Sequence, residues 1–173
     1  MNDLRLISPN VCYQSQYIDM LNEWKMSGEH LVPWVLGYDT SDFPSMIEML
    51  EGFSKGIGLK GGQVEHSTYW LINTEGKILG VVNIRHRLND KLLNIGGHIG
   101  YGIRLSERRK GYATQILRLA LEITRNMGIE KVLVTCDKDN VASAKTIIKN
   151  NGILDSEDIF EGKEIQRYWI PIK

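Results

Sequence analysis

The stretch GHIGYGIRLSERRKGYAT, residues 97–114, decides the fold of this chain, because its pattern changes from that of a strand to that of a helix. Apolar side chains alternate through its first half, which predicts a strand with one buried face. A basic loop with a glycine, Arg108 to Ala113, follows and opens the helix. Because the first backbone N–H groups of a helix have no partner within it, this loop predicts a binding site for an anion such as a phosphate.

The sequence on either side predicts further helices and strands, and their order contains no repeat and no linker. The helix after the basic loop has apolar residues at the i, i+3, i+4, i+7 spacing and is predicted to end at Gly128. In chain order, we predict a strand at 4–7, a helix from residue 13 that ends at Gly28, and a second helix capped by Ser41 or Asp42 that extends to residue 53. Strands at 68–72 and 78–86, a polar connection at 87–94, a strand at 97–105, a helix at 113–127 and a strand at 130–136 follow. The last helix is capped by Asp139 or Asn140 and ends at 150–152, and strands at 153–160 and 164–172 complete the chain.

Four glycines, at positions 96, 97, 100 and 102, lie in or just before the strand of the opening stretch. Glycine weakens a strand, so this density predicts a bulge or a place where another molecule's backbone or chain comes close.

Length and composition are typical of one globular domain, with 173 residues, 42% hydrophobic and 24% charged. Lys and Arg total 21 and so do Asp and Glu, which argues against a nucleic-acid binder. The acidic residues are concentrated in residues 1–51, which hold eight of them against two basic residues. That segment either attracts a cationic partner or is a solvated acidic face.

The two cysteines, Cys12 and Cys136, are too few for a disulfide framework, and we expect free thiols and a cytoplasmic protein. No apolar run has the length of a signal peptide or a membrane span, so we expect no membrane association.

Two motifs in order give the chain a family resemblance. Residues Arg108 to Ala113 fit a Gln/Arg-x-x-Gly-x-Gly/Ala loop between a strand and a helix, and Asn140-Val141-Ala142-Ser143 followed by Lys149-Asn150-Asn151-Gly152 resembles a second acyl-CoA segment. The chain therefore resembles the GNAT superfamily of acyl-CoA-dependent N-acetyltransferases, over essentially its whole length and most sharply from about residue 68 to 169.

The resemblance implies a mixed α/β fold. We expect a central twisted, mostly antiparallel sheet of about seven strands, splayed between strands 4 and 5 and flanked by about four helices. Residues 1–173 would form a single domain, with the N-terminal strand, helices and acceptor-side loop in 1–65 and the acyl-CoA-binding core in 66–173.

The resemblance also implies acetyl-CoA as the acyl donor and no metal. Backbone groups of the fourth strand would hold the pantetheine arm, the basic loop would hold the pyrophosphate, and the second segment would add side-chain contacts. The residues expected to bind acetyl-CoA are Ile103, Arg104, Leu105, Arg108, Arg109, Lys110, Gly111, Tyr112, Ala113, Thr114, Asn140 and Ser143.

The catalytic groups are less well defined. Many relatives carry a tyrosine in the helix after Asn140 that protonates the departing thiolate, but the matching residue here is Ile147. His98 is the nearest candidate for the base, although strict alternation places it opposite Ile99 and a bulge would be needed to turn it. A structural histidine, a base from Glu29, His30 or Tyr38, and solvent as the base all remain open. Glu29, His30 and Tyr38 belong to the acidic, aromatic segment 29–42.

Segment 29–42 is expected to form the acceptor side of the pocket, with Glu29, Trp34 and Tyr38 receiving an amine that could be cationic. The alternative is a hydrophobic lid packed on the core. The leading prediction is an N-acetyltransferase for a primary amine of a small molecule or peptide, as a monomer or homodimer. A non-catalytic acyl-CoA-binding module is the alternative, and a phosphate-loop nucleotide binder is disfavoured because the lysine-serine signature is missing.

Overall fold

A computed structural model describes residues 4–172 of the chain. The described chain contains seven strands and five α-helices, with short 3-10 turns between some of them. In order, they are β1 (Arg5–Ile7), α1 (Gln14–Ser27), α2 (Phe43–Ser54), β2 (His66–Ile72), β3 (Ile78–Arg85), α3 (Asp90–Asn94), β4 (Ile99–Ile103), α4 (Tyr112–Asn126), β5 (Lys131–Asp137), α5 (Val141–Lys149), β6 (Ile153–Phe160) and β7 (Lys163–Pro171).

The strands form two antiparallel sheets, β1-β2-β3-β4 and β5-β7-β6. The sheets meet just before β4, where the backbone N–H of His98 donates to the carbonyl of Leu133 at 2.7 Å. The predicted seven-stranded, mostly antiparallel arrangement with an opening between strands 4 and 5 is therefore confirmed.

Apolar side chains cover both faces of the first sheet. Ile99 and Ile103 of β4 pack with Ile116 and Leu117 of α4 in one core cluster. On the other face, a second cluster joins α1 and α2 to the sheet around the fully buried Trp70. The stretch 97–114 thus joins β4 to the helix that covers it, as its two periodicities predict.

Helix ends follow local chemistry. Gly28, in the left-handed conformation at φ +73°, ends α1, and the Asp42 side chain accepts from the backbone N–H of Ser45 at 3.1 Å to cap α2. Helix α3, in a segment predicted to be a polar connection, was not predicted, because five residues are too few to show a helical period. Its cap is the side chain of Asn89, which accepts from the N–H of Leu92 at 3.0 Å.

The glycines around β4 mark close approaches of the chain to itself. A Cβ at Gly102 would lie 2.0 Å from the carbonyl oxygen of Val32 and 2.6 Å from the ring of Trp24. A Cβ at Gly97, where φ is +57°, would lie 2.4 Å from the carbonyl oxygen of Leu133. Segment 29–33 therefore lies directly on β4, and the close approach that the glycines predict at this strand is made by the chain itself.

Both cysteines are free thiols, and Cys12 is exposed whereas Cys136 is buried. Among residues 4–172, no helix combines the length and apolar character needed to cross a membrane.

Candidate functional site

A groove of about 520 Å³ opens where β4 leaves β5, and we refer to it as the groove. Its walls are Trp24 with residues of segment 29–32, residues 101–103 of β4, residues 107–109 and 111–114 around the start of α4, and residues of 140–146 at the start of α5. The opening stretch of the sequence thus supplies two of its four walls.

The backbone of β4 offers unpaired polar groups to this groove. Arg104 donates its N–H to Leu79 and Arg85 donates to His98, which fixes the hydrogen-bonding alternation between β3 and β4. In that alternation the N–H and C=O groups of Tyr101 and Ile103 point away from β3. They face the side from which β5 has diverged. The Ile103 carbonyl accepts from Nε of Arg108 at 3.2 Å, and an extended ligand can pair with the other three groups as a strand does.

The start of α4 is the second polar element. Gly111 precedes the helix at φ +83° and no side chain caps it, so the N–H groups of Tyr112, Ala113 and Thr114 have no intrahelical partner. All three residues line the groove. A helix start of this kind attracts phosphate through its N–H groups and the helix dipole.

The three basic residues of the loop have different surroundings. Arg108 lines the groove, but its guanidinium is held by the Glu29 carboxylate at 2.7 and 3.0 Å. Lys110 lies outside the lining and pairs with Glu107 at 2.8 Å. Arg109 lines the groove at a left-handed φ of 62°, and no carboxylate of residues 4–172 pairs with it. The positive charge predicted for the whole loop is therefore concentrated on Arg109.

Two further residues predicted to bind acetyl-CoA face elsewhere. Arg104 is buried with its guanidinium against Glu23 at 2.5 Å and Asp19 at 2.6 Å. Leu105 packs on the α1 and α2 cluster. Neither lines the groove, because the alternation of β4 turns Arg104 to the opposite side from Ile103.

Asn140 and Ser143 stand at the start of α5, and both line the groove. The Asn140 side chain caps the helix by accepting from the N–H of Ser143 at 3.1 Å. The Ser143 hydroxyl lies 3.1 Å from the hydroxyl of Tyr101. Burial raises the pKa of Tyr101 to about 12, so this phenol keeps its proton at neutral pH.

Sequence reasoning did not identify Tyr101 as a functional residue, because its position in the apolar alternation of β4 predicted only a core side chain. The signal that could have found it is the residue type. A tyrosine on the strand at the predicted opening carries a hydroxyl that needs a polar partner. The position where relatives carry tyrosine, Ile147, is fully buried in the core.

His98 lies outside the groove, 7% exposed, at the junction of the two sheets. Its Nδ1 accepts from the N–H of Leu133 at 2.9 Å. Burial, with a contribution from the charge of Arg85, lowers the pKa of His98 to about 4. A neutral imidazole that holds β4 to β5 fits the structural role.

Of the three predicted acceptor residues, Glu29 lies in the groove, whereas Trp34 and Tyr38 lie together outside it. Glu29 lines the groove, where hydrogen bonds from Arg108 hold its pKa below the usual range. Trp34 lies 5.6 Å from the ring of Tyr38 and 5.3 Å from the ring of His66, between ring centroids. Trp34 and His66 line a second cavity of about 300 Å³, which also contains Arg85 and which we call the Arg85 cavity.

Within the described residues, no group of three or more His, Cys, Asp or Glu side chains is arranged to hold a metal ion.

Comparison with protein families gave one result that covers most of the chain. A family model described as an acetyltransferase (GNAT) domain matches residues 15–152. No curated protein sequence matches the chain.

Solved structures resemble the chain over nearly its whole length. RimL, the ribosomal L7/L12 alpha-N-protein acetyltransferase in complex with coenzyme A, gives a TM-score of 0.70 at 17% identity, covering 98% of this chain and 94% of that one. The Microcin C7 self-immunity acetyltransferase MccE, in complex with acetyl-CoA and AMP, gives 0.69 at 20% identity, covering 99% and 94%. An acetyltransferase from Salmonella typhimurium that modifies the N-terminal serine of L7/L12 gives 0.68 at 16% identity, covering 98% and 95%. At these identities the likeness establishes the fold.

Proposed function

The chain belongs to the acetyltransferase (GNAT) family, and from that premise we propose that it transfers the acetyl group of acetyl-CoA to a primary amine of a small molecule or peptide. The observation that carries the proposal is the groove itself. It joins unpaired backbone groups of β4, an uncapped helix start with Arg109, and a protonated tyrosine within one space of about 520 Å³.

The groove fits the parts of acetyl-CoA in order. The pyrophosphate would lie on the N–H groups of residues 112–114, with Arg109 beside it. The pantetheine arm carries two amides, and it would pair with the outward N–H and C=O of Tyr101 and the N–H of Ile103. Asn140 and Ser143 would contact the arm from α5. Arg108 would contribute by holding Glu29 and the carbonyl of Ile103, to which its Nε donates at 3.2 Å.

The reaction follows from this placement. The neutral amine attacks the thioester carbonyl, a tetrahedral oxyanion forms, and the C–S bond breaks to release the CoA thiolate. An outward N–H of β4 would stabilise the oxyanion, since a fixed backbone donor at a partly dry site needs no reorganisation as charge develops. The amine nitrogen loses a proton, and the thiolate sulfur gains one.

Tyr101 is the group we assign to the second proton transfer. Its hydroxyl keeps its proton because burial raises its pKa to about 12, and it is held next to Ser143 in the groove wall. A phenol in this position can donate to the departing sulfur. Tyr101 would protonate the thiolate, which Ile147, at the position of the tyrosine in relatives, cannot do.

His30 is the candidate we assign to the first proton transfer. The two carboxylates in the lining, Glu29 and Glu107, are bound to Arg108 and to Lys77 and Lys110, and these contacts hold the pKa of each below its usual range. His30 lines the groove with an exposed side chain, and imidazole is the most frequent general base in proteins. His98 would act only in holding β4 to β5.

Amine-dependent release of CoA tests the proposed activity. The protein is incubated with acetyl-CoA, a panel of primary amines and a thiol reagent, and the released CoA is recorded with and without each amine. The proposal expects release that requires an amine. Binding of acetyl-CoA with no release for any amine would instead support the non-catalytic acyl-CoA-binding module.

A further inference from the structure

The Arg85 cavity is positively charged and lies at one end of the first sheet, on the face that carries α1 and α2. Its lining includes Arg85, His66 and Lys91, with the ring of Trp34 at one side. None of the lining residues, all of which lie within residues 4–172, is acidic. A cavity of this composition attracts anions.

Arg85 is the principal charge. It is the last residue of β3, is 8% exposed, and donates from Nη1 to the carbonyl of Gly96 at 3.0 Å. No carboxylate within residues 4–172 forms an ion pair with it. Burial lowers the pKa of Arg85 to about 10, which leaves it charged at neutral pH. Because a buried charge without a counter-ion is strongly unfavourable, the missing anion is expected to come from a ligand.

His66 provides a second donor directly across the sheet, since it is the register partner of Arg85 on β2. Its Nδ1 lies 2.8 Å from the Asn83 side-chain nitrogen, which also donates to the carbonyl of Ser67 and the hydroxyl of Thr68. With the Asn83 amide nitrogen directed at it, Nδ1 accepts, and the proton of the neutral ring then lies on Nε2. This buried Nε2–H has no acceptor among the described residues, and the side chain as a whole is 2% exposed.

The cavity and the groove are adjacent on the same face of β4. The Arg85 guanidinium lies against Gly100, where a Cβ would be 3.3 Å from Nη1. Gly102, two residues along, lines the groove. Two residues of strand span about 7 Å. Segment 32–34 passes over the gap, with Val32 in the wall of the groove and Trp34 in the wall of the cavity.

Resting on the acetyltransferase activity proposed above, we propose that Arg85 and His66 bind a carboxylate or phosphate group of the acceptor, while its chain crosses the exposed side of segment 32–34 and its amine enters the groove beside Val32. The acceptor is then an amine that also carries a negative charge. Glu29, the acidic residue that would favour a cationic acceptor, is already paired with Arg108. A purely cationic acceptor such as a polyamine would place its second charge beside Arg85, which opposes binding.

Matched pairs of acceptors test the proposal, since each pair differs in the anionic group alone. The carboxylate pair is β-alanine and β-alaninamide, and the phosphate pair is O-phosphoethanolamine and ethanolamine. The N-acetylated form of each is also titrated into the CoA-bound protein by calorimetry, so that recognition is measured without turnover. Arg85→Gln removes the buried charge of the cavity, Lys91→Gln removes its exposed charge, and acetyl-CoA affinity reports whether each variant is folded.

The proposal expects the anionic member of at least one pair to bind about 10- to 100-fold more tightly, the range for hydrogen bonds to a charged group. The pair that shows the preference identifies the source of the anion. In Arg85→Gln the ratio of anionic to neutral affinity falls to near one, and in Lys91→Gln it falls about twofold. Equal binding within both pairs, or a preference that survives Arg85→Gln, overturns the proposal.

If Arg85→Gln loses acetyl-CoA binding and so fails to fold, Lys91→Gln and the wild-type ratios still decide. A wild-type ratio below about ten, or a ratio that Lys91→Gln leaves unchanged, contradicts the proposal. A ratio above about ten that Lys91→Gln reduces supports it. Failure of the acetyltransferase activity is separate, because it appears as no amine-dependent CoA release while the calorimetric ratios are still measured.

Discussion

The groove and the Arg85 cavity are built in different ways, although Gly102 in the groove wall and Gly100 against Arg85 are only two residues, about 7 Å, apart on β4. The groove depends mainly on backbone groups from one continuous stretch, residues 101–114, and two of its three loop cations are paired with carboxylates. The cavity depends on side chains from β2, β3 and α3, and its buried arginine has no carboxylate partner in the described part of the chain. A site made from consecutive backbone is visible in a sequence, whereas a site made from distant side chains is not.

The largest effect is expected from Gly102, on which segment 29–33 rests between the two sites. In Gly102→Ala the new Cβ would meet the Val32 carbonyl at 2.0 Å and the Trp24 ring at 2.6 Å. Because a backbone atom cannot easily move away, we expect a loss of about 3 kcal/mol in the free energy of unfolding. Urea denaturation measures it.

Gly37→Ala is the matched control, since a Cβ at Gly37 has no heavy atom within 4 Å. It should change the free energy of unfolding by less than about 0.5 kcal/mol. Equal stabilities for the two variants would mean that segment 29–33 does not rest on β4 in solution.

Removal of the Tyr101 hydroxyl tests whether this residue protonates the departing thiolate in the groove. Tyr101→Phe keeps the ring in the core and removes the proton donor next to Ser143. We expect kcat to fall about 100-fold, within the range for general acid catalysis, with little change in the KM for acetyl-CoA. Steady-state kinetics at saturating amine measure both constants, and an unchanged kcat would remove Tyr101 from the mechanism.

Acid should weaken the fold through the two buried histidines, one at the junction beside the groove and one in the cavity. Burial lowers the pKa of His98 and of His66 to about 4, whereas both would titrate near 6.5 in the unfolded chain. The unfolded state therefore binds more protons between these values, and stability falls as the pH drops from about 6.5 to about 4. We expect the free energy of unfolding to fall steadily over that range, measured by chemical unfolding at several pH values.

His98→Asn provides the test of that assignment. Its unfolding free energy should depend less steeply on pH than that of the wild type, because one of the two depressed histidines is gone. An identical slope would show that His98 does not take part in the titration.

Replacing Arg109 and Lys110 in turn compares the effect of a cation that has no carboxylate partner with the effect of one that is paired. Arg109→Ala should raise the KM for acetyl-CoA about tenfold, since a charge-assisted hydrogen bond to phosphate is lost. Lys110→Ala should raise it at most twofold, because Lys110 is held by Glu107 outside the lining. Equal effects of the two changes would mean that the loop acts only through its summed charge.

The fold could be predicted largely from the sequence because its signals are local. The alternation through β4, the switch to helical spacing after Gly111, and the caps at Gly28 and Asp42 each depend on neighbouring residues. Helix α3 was missed because a five-residue helix has no period to detect.

The predicted site residues also differ according to whether the signal for them was local in the sequence. The predictions for residues 111–114 depend on a loop motif, and the structure places all four in the wall of the groove. The predictions for Arg108 and Lys110 assumed free cations, but Arg108 is held by Glu29, which is distant in the sequence, and Lys110 is held by Glu107, three residues before it. No sequence pattern marked Arg85 and His66, because the pairing of β2 with β3 brings them together. Only their burial, which the structure shows, distinguishes them from ordinary surface residues.

Affinity for coenzyme A in two variants of Gly111 tests the central claim, that the start of α4 holds the pyrophosphate. Asn and Asp have the same shape and both tolerate the left-handed conformation that Gly111 adopts at φ +83°, so Gly111→Asn and Gly111→Asp differ mainly in charge. Calorimetric titration should show CoA binding to the wild type and to Gly111→Asn, with at least a tenfold loss in Gly111→Asp from repulsion of the phosphates. No binding of CoA to the wild type at millimolar concentration, or equal affinities for the two variants, would contradict the account.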